Sequence, residues 1–101
     1  MAVLKDIKDR FYNGVRACYG IILNDSEIPM NETRHEFSGD YTFVIFSLVK
    51  QLKKSPKEIG DTLGQWMMTN EPLVIDFEVI QGFLNLTFSN EFWNTIFFEI
   101  N

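Results

Sequence analysis

Cysteine and histidine are almost absent from this chain of 101 residues, which has one of each, Cys18 and His35. A single cysteine excludes an internal disulfide framework and favours a reducing compartment. Zinc sites need several soft ligands, and neither residue has a second one near it in the sequence. We therefore interpret Cys18 as a core residue and His35 as a surface residue, and we predict no metal site.

Long apolar runs are also missing. No stretch approaches the roughly 18–20 uninterrupted apolar residues that a membrane helix needs. The first ten residues alternate charged and apolar side chains, which is unlike a secretory signal. We expect a cytoplasmic protein that has no membrane partner.

Signatures of catalysis and of nucleotide binding are missing as well. Gly60 and Gly64 have neither the P-loop nor the GxGxxG spacing. Asp76 and Glu78 lie close in sequence, but a chain with fourteen acidic residues contains such pairs by chance. We predict no catalytic residue and no enzymatic activity for this chain alone.

Basic residues are few: the chain has nine Lys and Arg against fourteen Asp and Glu, so its net charge is −5. This sign is wrong for a protein whose whole surface binds nucleic acid. However, Lys50, Lys53, Lys54 and Lys57 fall within eight residues, and they lead into a predicted helix N-terminus that favours an anion. The segment is a candidate phosphate-binding site, and the alternative is a set of solvated lysines.

The apolar residues that are present suffice for one hydrophobic core, because they make up 46% of the chain and include ten phenylalanines. The length fits a single domain over residues 1–101. Apolar residues recur every three to four positions over 2–19, which predicts a helix. Ser55-Pro56-Lys57-Glu58 is a capping box that predicts a second helix, ending at Asn70.

Four segments have the composition and alternation of β-strands. They are 31–37, with Thr33, His35 and Phe37 on one face; the buried run 41–49; 73–80, with Ile75, Phe77 and Val79 inward and Asp76 and Glu78 outward; and the strand that follows the Gln81-Gly82 turn. Two strand pairs separated by a helix predict an α+β fold, a two-layer α-β-β-α-β-β sandwich. It has a four-stranded antiparallel sheet with helices on one face, plus a C-terminal helical tail.

The segment QGFLNLTFS, residues 81–89, carries an aromatic side chain on its outer face. Alternation places Leu84, Leu86 and Phe88 on the core face, and it places Phe83, Asn85 and Thr87 on the other. An aromatic ring and an amide two residues apart suit unpaired RNA, because the ring stacks on a base and the amide hydrogen-bonds its edge. The alternative is that the C-terminal tail, the first helix or a neighbouring protein covers Phe83.

Residues 33–67, followed by 79–89, resemble the N-terminal additional domain of arginyl-tRNA synthetase. The motifs that carry the resemblance are Gly39-Asp40-Tyr41, Lys53/Lys54-Ser55-Pro56 and Gly82-Phe83-Leu84-Asn85. The resemblance implies the same two-layer fold and tRNA as the partner, contacted on the D-loop side of its elbow. It also implies that Phe83 stacks on an exposed base, that Asn85 hydrogen-bonds this base, and that Gln81 is a third contact.

The chain departs from the whole synthetase because it lacks the HIGH-type and KMSK-type ATP signatures, the catalytic domain and the anticodon-binding domain. The resemblance therefore implies that ATP and Mg²⁺ act in the parent enzyme and that this domain has no cofactor of its own. The apolar tail, with Phe92, Trp93 and Phe97, is expected to pack on the catalytic domain. A competing hypothesis is a structural or docking domain without direct RNA contact.

Overall fold

A computed structural model describes residues 2–100 of the chain and the side chains of residues 2–98. The elements in chain order are α1 (Ala2–Tyr19), β1 (Met30–Glu32), β2 (Tyr41–Val44), α2 (Phe46–Leu52), α3 (Pro56–Asn70), β3 (Val74–Ile80), β4 (Phe83–Phe88) and α4 (Asn90–Ile100). The strands form one antiparallel sheet in the order β1-β2-β4-β3. The predicted α+β class and antiparallel sheet are confirmed.

The core lies between one face of the sheet and helices α1 and α3. The Phe11 ring of α1 stacks on Phe43 of β2 with 3.9 Å between the ring centroids. Helix α3 approaches β3 closely at Gly64, where an added Cβ would lie 2.4 Å from the Phe77 ring. Gly64, which is not part of a phosphate-binding loop, therefore allows the close packing of α3 on the sheet.

Helix α3 has the predicted start and end. The Ser55 hydroxyl accepts a hydrogen bond from the Glu58 backbone N–H at 3.1 Å, and Pro56 occupies the first turn. The helix ends at Asn70 as predicted. The Glu58 carboxylate pairs with the Lys54 ammonium at 3.3 Å, so it neutralises a charge of the basic segment.

The predicted strand 31–37 is wrong in its extent, because β1 ends at Glu32. The Thr33 N–H bonds to the Asp40 carbonyl at 3.1 Å, and this closes the strand pair. Residues 33–40 then form a loop, referred to below as the β1–β2 loop, in which His35 is exposed in a turn rather than in a strand. Gly39 of this loop has a φ of 127°, a backbone conformation that requires glycine.

The predicted strand 41–49 is also wrong beyond Val44, where a short helix, α2, replaces it. A short apolar run fits a buried strand or a buried helix equally well by composition. Within α2 the inward side is Leu48, which is fully buried, together with the half-buried Val49 and Leu52. The 3–4 spacing of these residues packs a helix on the core, and it adds one helix to the predicted order.

Strand β3 contains a bulge between Val74 and Asp76 that shifts its alternation. Val74 is buried as a result, whereas Ile75, which was predicted to point inward, is 53% exposed. Beyond the bulge Phe77 pairs with Leu86 of β4 and faces the core as predicted. The prediction fails only at the irregular residue.

The C-terminal tail forms helix α4, and one of its predicted surface residues lies inside the domain. Phe92 is completely buried and packs on Phe88 with 4.1 Å between the ring centroids. The expectation that Phe92 is part of an exposed docking surface is therefore wrong, because Phe92 completes the core of this domain. Trp93 and Phe97 are exposed.

In the part of the chain that the structure describes, no helix has the length and apolarity to cross a membrane.

Candidate functional site

The outer face of the sheet carries two rows of side chains that run across the strands. Cα pairing places a polar row and an apolar row next to each other. The polar row is Asn31, Thr42, Asn85 and Glu78, and the apolar row is Val44, Phe83 and Ile80. Phe83 and Asn85 therefore lie on the outer face, as the alternation of β4 predicted.

Asn85 lies in the polar row and is only 1% exposed. Its carbonyl oxygen, Oδ1, accepts a hydrogen bond from the Thr42 hydroxyl at 2.6 Å. Thr42 Oγ1 also lies 2.9 Å from Thr33 Oγ1, and since the single Thr42 hydrogen goes to Asn85, Thr33 is the donor of this second bond. The burial of Asn85 was not predicted, and it results from the β1–β2 loop, whose Gly39 faces the Asn85 Cβ.

The amide nitrogen of Asn85, Nδ2, is buried and has no hydrogen-bond partner. Leaving a buried donor unpaired costs about 1–3 kcal/mol. Turning the amide over would exchange its two ends and would still leave one of them unpaired. A polar group that the protein itself does not satisfy therefore faces the outer side of the sheet.

Phe83 is half-buried between two side chains that the sequence did not associate with it. The Phe46 ring of α2 meets it edge to face, with 5.7 Å between centroids and an interplanar angle of 80°. The Arg34 guanidinium lies 5.8 Å from the Phe83 ring centroid. The alternative of cover by α1 or by the tail is not what the structure has, since the partial cover comes from α2 and the β1–β2 loop.

A pocket of about 110 Å³ opens beside Phe83 and Asn85. Arg34 and Phe37 of the β1–β2 loop form one wall, and Thr42 of β2 forms part of its floor. An apolar cavity of about 150 Å³ holds a benzene molecule, so a six-membered ring enters this pocket in part. The pocket thus combines a ring, a cation and an unpaired amide.

Gln81 and Gly82 form the two-residue connection between β3 and β4. Gln81, rather than Gly82, has the positive φ, at 52°. Gly82 leaves room for the Phe46 ring, which would have to move if a Cβ were added there. Gln81 is exposed at the tip of this hairpin, one turn residue away from Phe83.

Lys53 and Lys54 lie in the connection between α2 and α3, Lys57 lies in the first turn of α3, and none of the three lines the pocket. Lys54 pairs with Glu58, and Lys57 pairs with Asp61 at 2.9 Å. Lys53 ends α2 in a left-handed conformation with a φ of 55°. The roles predicted for these lysines and for Phe83, Asn85 and Gln81 remain predictions.

Residues that sequence reasoning missed are Arg34, Thr42 and Phe46. Thr42 becomes visible only once the register of β2 against β4 is known. Phe46 was assigned to a buried strand, so the sequence did not predict that it is exposed at the start of a helix.

Among the described residues, no group of three or more His, Cys, Asp or Glu is placed to hold a metal ion. The assignment of ATP and Mg²⁺ to a larger enzyme remains a prediction.

Comparison with known proteins agrees with the motifs. The family model of the arginyl tRNA synthetase N terminal domain matches residues 5–88. The arginine–tRNA ligase of Parabacteroides distasonis is 34% identical over 101 residues, which is 100% of this chain and 17% of that protein. The arginine–tRNA ligase of Porphyromonas gingivalis is 35% identical over 100 residues, which is 99% of this chain and 17% of that protein. The chain thus spans about a sixth of the length of these relatives.

A solved structure, the Thermus thermophilus arginyl-tRNA synthetase, has a similar fold. The TM-score is 0.71 at 20% sequence identity, and the similarity covers 86% of this chain and 14% of that one. The family model covers most of the chain, and the identity to several curated relatives exceeds one third. The chain therefore belongs to the family of arginyl-tRNA synthetase N-terminal domains.

Proposed function

We propose that this domain binds the D-loop side of the tRNA elbow and helps to position tRNA for aminoacylation by the catalytic part of an arginine–tRNA ligase. The observation that carries the proposal is the buried, unpartnered Asn85 amide nitrogen beside the half-exposed Phe83 ring. An unpaired base supplies what both groups lack, since its edge accepts a hydrogen bond and its face stacks on an aromatic ring. Because the amide nitrogen is buried, the β1–β2 loop has to move outward for the base edge to reach it. Gln81, at the hairpin tip, is the third contact.

Arg34 has to move when a base stacks on Phe83 from its side. The guanidinium lies no more than 5.8 Å above the ring. Inserting a base between the two planes needs about 6.8 Å, which is twice the stacking distance of about 3.4 Å. An outward movement of about 1 Å or more by the exposed Arg34 opens this space, and the guanidinium then stacks on the other side of the base.

The charge of the domain favours a base-directed contact over a phosphate-directed one. The net charge is −5. Glu32 lines the pocket, and Glu78 lies beside Asn85 in the polar row of the sheet. Phosphates of a bound tRNA are therefore directed toward the lysine segment with Lys53, Lys54 and Lys57. Because two of these lysines already have carboxylate partners, we expect few released counterions and a shallow salt dependence.

The remaining assignments concern the larger protein. We place the exposed Trp93 and Phe97 of α4 against the catalytic domain of the same synthetase, which holds ATP and Mg²⁺. Two large exposed apolar side chains at successive turns of one helix are a typical interdomain contact. We place the protein in the cytoplasm, where tRNA is aminoacylated.

Titration of the isotope-labelled 101-residue chain with a tRNA transcript accepted by an arginine–tRNA ligase, followed by NMR chemical shifts, tests the proposal. Loss of a stacked base costs about 1–3 kcal/mol, so Phe83→Leu should weaken binding roughly 5- to 160-fold. Asn85→Ala should weaken it by about tenfold through the lost hydrogen bond to the base. Trp93→Leu, which removes an exposed ring outside the site, is the matched control and should leave affinity unchanged.

Unchanged tRNA affinity in both Phe83→Leu and Asn85→Ala would refute RNA binding at this site. It would favour the competing hypothesis, a structural or docking domain that does not touch RNA. Signal dispersion in the spectra of each variant shows that the fold is intact, so a loss of binding is not confused with unfolding.

A further inference from the structure

We propose that the exposed face of α2 extends the site so that it holds two consecutive unpaired nucleotides instead of one. In this extension Phe46 stacks on the second base, and Lys50 binds the phosphate between the two nucleosides. The inference rests on the proposed function, because it assumes that Phe83 receives the first base. It assigns a role to Phe46 and Lys50 of α2, a helix that the sequence did not predict.

Phe46 is a large aromatic side chain at an unusual place for a core residue. It is 46% exposed, although it stands at the start of a helix whose other apolar side chains face inward. The Phe46 and Phe83 rings meet at an interplanar angle of 80° with 5.7 Å between their centroids, so the faces that the two rings offer to bases lie nearly at right angles to each other. The two adjacent rings form an angled platform that takes one base on each ring when the strand turns between the two nucleotides, and such stacking tolerates any base.

The backbone holds Phe46 firmly beside the hairpin. The Ile45 N–H donates to the Gly82 carbonyl at 2.9 Å, immediately before α2 begins. Gly82 has no Cβ, and the Phe46 ring occupies the space that a Cβ would need. The ring thus lies against the same hairpin that presents Phe83, and these contacts limit the positions that it can take.

Lys50 supplies charge complementarity to the phosphate of an RNA strand on this platform. It lies four residues after Phe46, so the two side chains share one face of the helix, about 6 Å apart along the axis. Both residues are exposed, and Leu48 between them points into the core. Lys50 is in none of the ion pairs of the described residues, in contrast to Lys54 and Lys57.

Three adenine nucleotides separate the contributions of the second base and of the phosphate. The probes are adenosine 5′-monophosphate, adenosine 3′,5′-bisphosphate, and the 5′-phosphorylated dinucleotide pApA. Their affinities for the 101-residue chain are measured by NMR titration. The bisphosphate adds a phosphate without a second base, and the dinucleotide then adds the base. In the wild type we expect each step to increase affinity, by roughly fivefold for the second base.

Phe46→Leu should abolish the gain from bisphosphate to dinucleotide, and Phe46→Trp should keep it. Leucine retains the apolar contact with Gly82, so a mere packing role of Phe46 would leave the gain intact. Lys50→Gln should abolish the gain from monophosphate to bisphosphate. Arg16→Gln, which removes one exposed positive charge on α1, is the control for net charge and should not.

A wild-type chain that binds the dinucleotide no more tightly than the bisphosphate would overturn the inference. An unchanged gain in Phe46→Leu would overturn it as well. In either case a loss of tRNA affinity in Phe83→Leu would leave the proposed single-base contact standing. If Phe83→Leu binds all three nucleotides and tRNA as the wild type does, the proposed function itself fails, and the inference fails with it.

Discussion

Two substitutions that break the same hydrogen bond should have unequal consequences for stability. The bond joins the Thr42 hydroxyl to Asn85 Oδ1 at 2.6 Å, and it can be removed from either side. Asn85→Ala removes the amide, whereas Thr42→Val keeps the shape of the threonine and removes its hydroxyl. We expect Asn85→Ala to be nearly neutral and Thr42→Val to be clearly destabilising.

The magnitudes follow from which polar atoms each substitution leaves behind. Asn85→Ala loses a hydrogen bond worth about 0.5–1.5 kcal/mol, but it also removes the unpaired Nδ2, which costs about 1–3 kcal/mol in the wild type. With some lost packing, the net change in the free energy of unfolding is within about 1 kcal/mol. Thr42→Val leaves both Oδ1 and Nδ2 of the buried Asn85 amide unpaired, and it also removes the hydrogen-bond partner of the Thr33 hydroxyl. We expect a loss of about 2 kcal/mol.

Urea and thermal unfolding measure both changes, followed by tryptophan fluorescence, to which the half-buried Trp66 contributes. In a domain of about 100 residues, 1 kcal/mol corresponds to about 4–8 °C in Tm, so Thr42→Val should lower the Tm by about 8–16 °C. The double variant should be more stable than Thr42→Val alone, because the amide that Thr42→Val leaves unpaired is then absent. This positive coupling is the signature of the pair.

A loss of more than about 2 kcal/mol in Asn85→Ala would show that the whole Asn85 side chain is satisfied in the folded protein. The unpaired nitrogen on which the proposed base contact depends would then not exist. Equal destabilisation by Asn85→Ala and Thr42→Val, with no recovery in the double variant, would refute the reasoning in the same way.

Three further predictions test the packing and the titration of the domain. Gly64→Ala should destabilise by about 1–3 kcal/mol in a urea titration despite the better helix propensity of alanine, because its Cβ would meet the Phe77 ring. Phe92→Ala should cost about 3–5 kcal/mol, whereas Trp93→Ala on the same helix should cost far less, and thermal unfolding of the two variants compares them. Burial raises the pKa of the Cys18 thiol above its ordinary value of 9.0, so the folded chain keeps this proton longer than the unfolded chain does. The contribution of Cys18 to stability should therefore be present below about pH 9 and be lost as the pH rises above it, and a Cys18→Ala variant should lack this part of the pH dependence.

The elements that the sequence predicts correctly are those with local signals. Helix α3 has its cap, its first-turn proline and its end in the sequence itself, so its bounds needed no tertiary information. Strand β4 shows strict alternation, and this placed Phe83 and Asn85 on one face without knowledge of their neighbours. In both cases the chain carries the information within a few residues.

The errors arise where distant residues decide the outcome. Phe46 begins a helix because Leu48 and its neighbours pack into a core formed by other elements, although their composition suits a strand equally well. Ile75 turns outward because of a bulge, a feature that has no signal in the residues of β3. Asn85 is buried because the β1–β2 loop folds over it, and the sequence shows only that a loop follows β1.

The charge distribution explains how such a domain can be useful even if its own affinity for tRNA is low. Under the proposed function, a domain with a net charge of −5 and partly neutralised lysines gains little from phosphates and relies on a ring, an amide and one or two bases. Under the proposed function, the remainder of the synthetase holds the same tRNA, so binding by this domain becomes intramolecular at an effective concentration on the order of millimolar. A contact too weak to capture tRNA alone then still distinguishes a tRNA that presents an unpaired base from one that does not. Because the cost of the unpaired Asn85 amide is removed only when a hydrogen-bond acceptor arrives, the discrimination depends on the base and hardly on ionic strength.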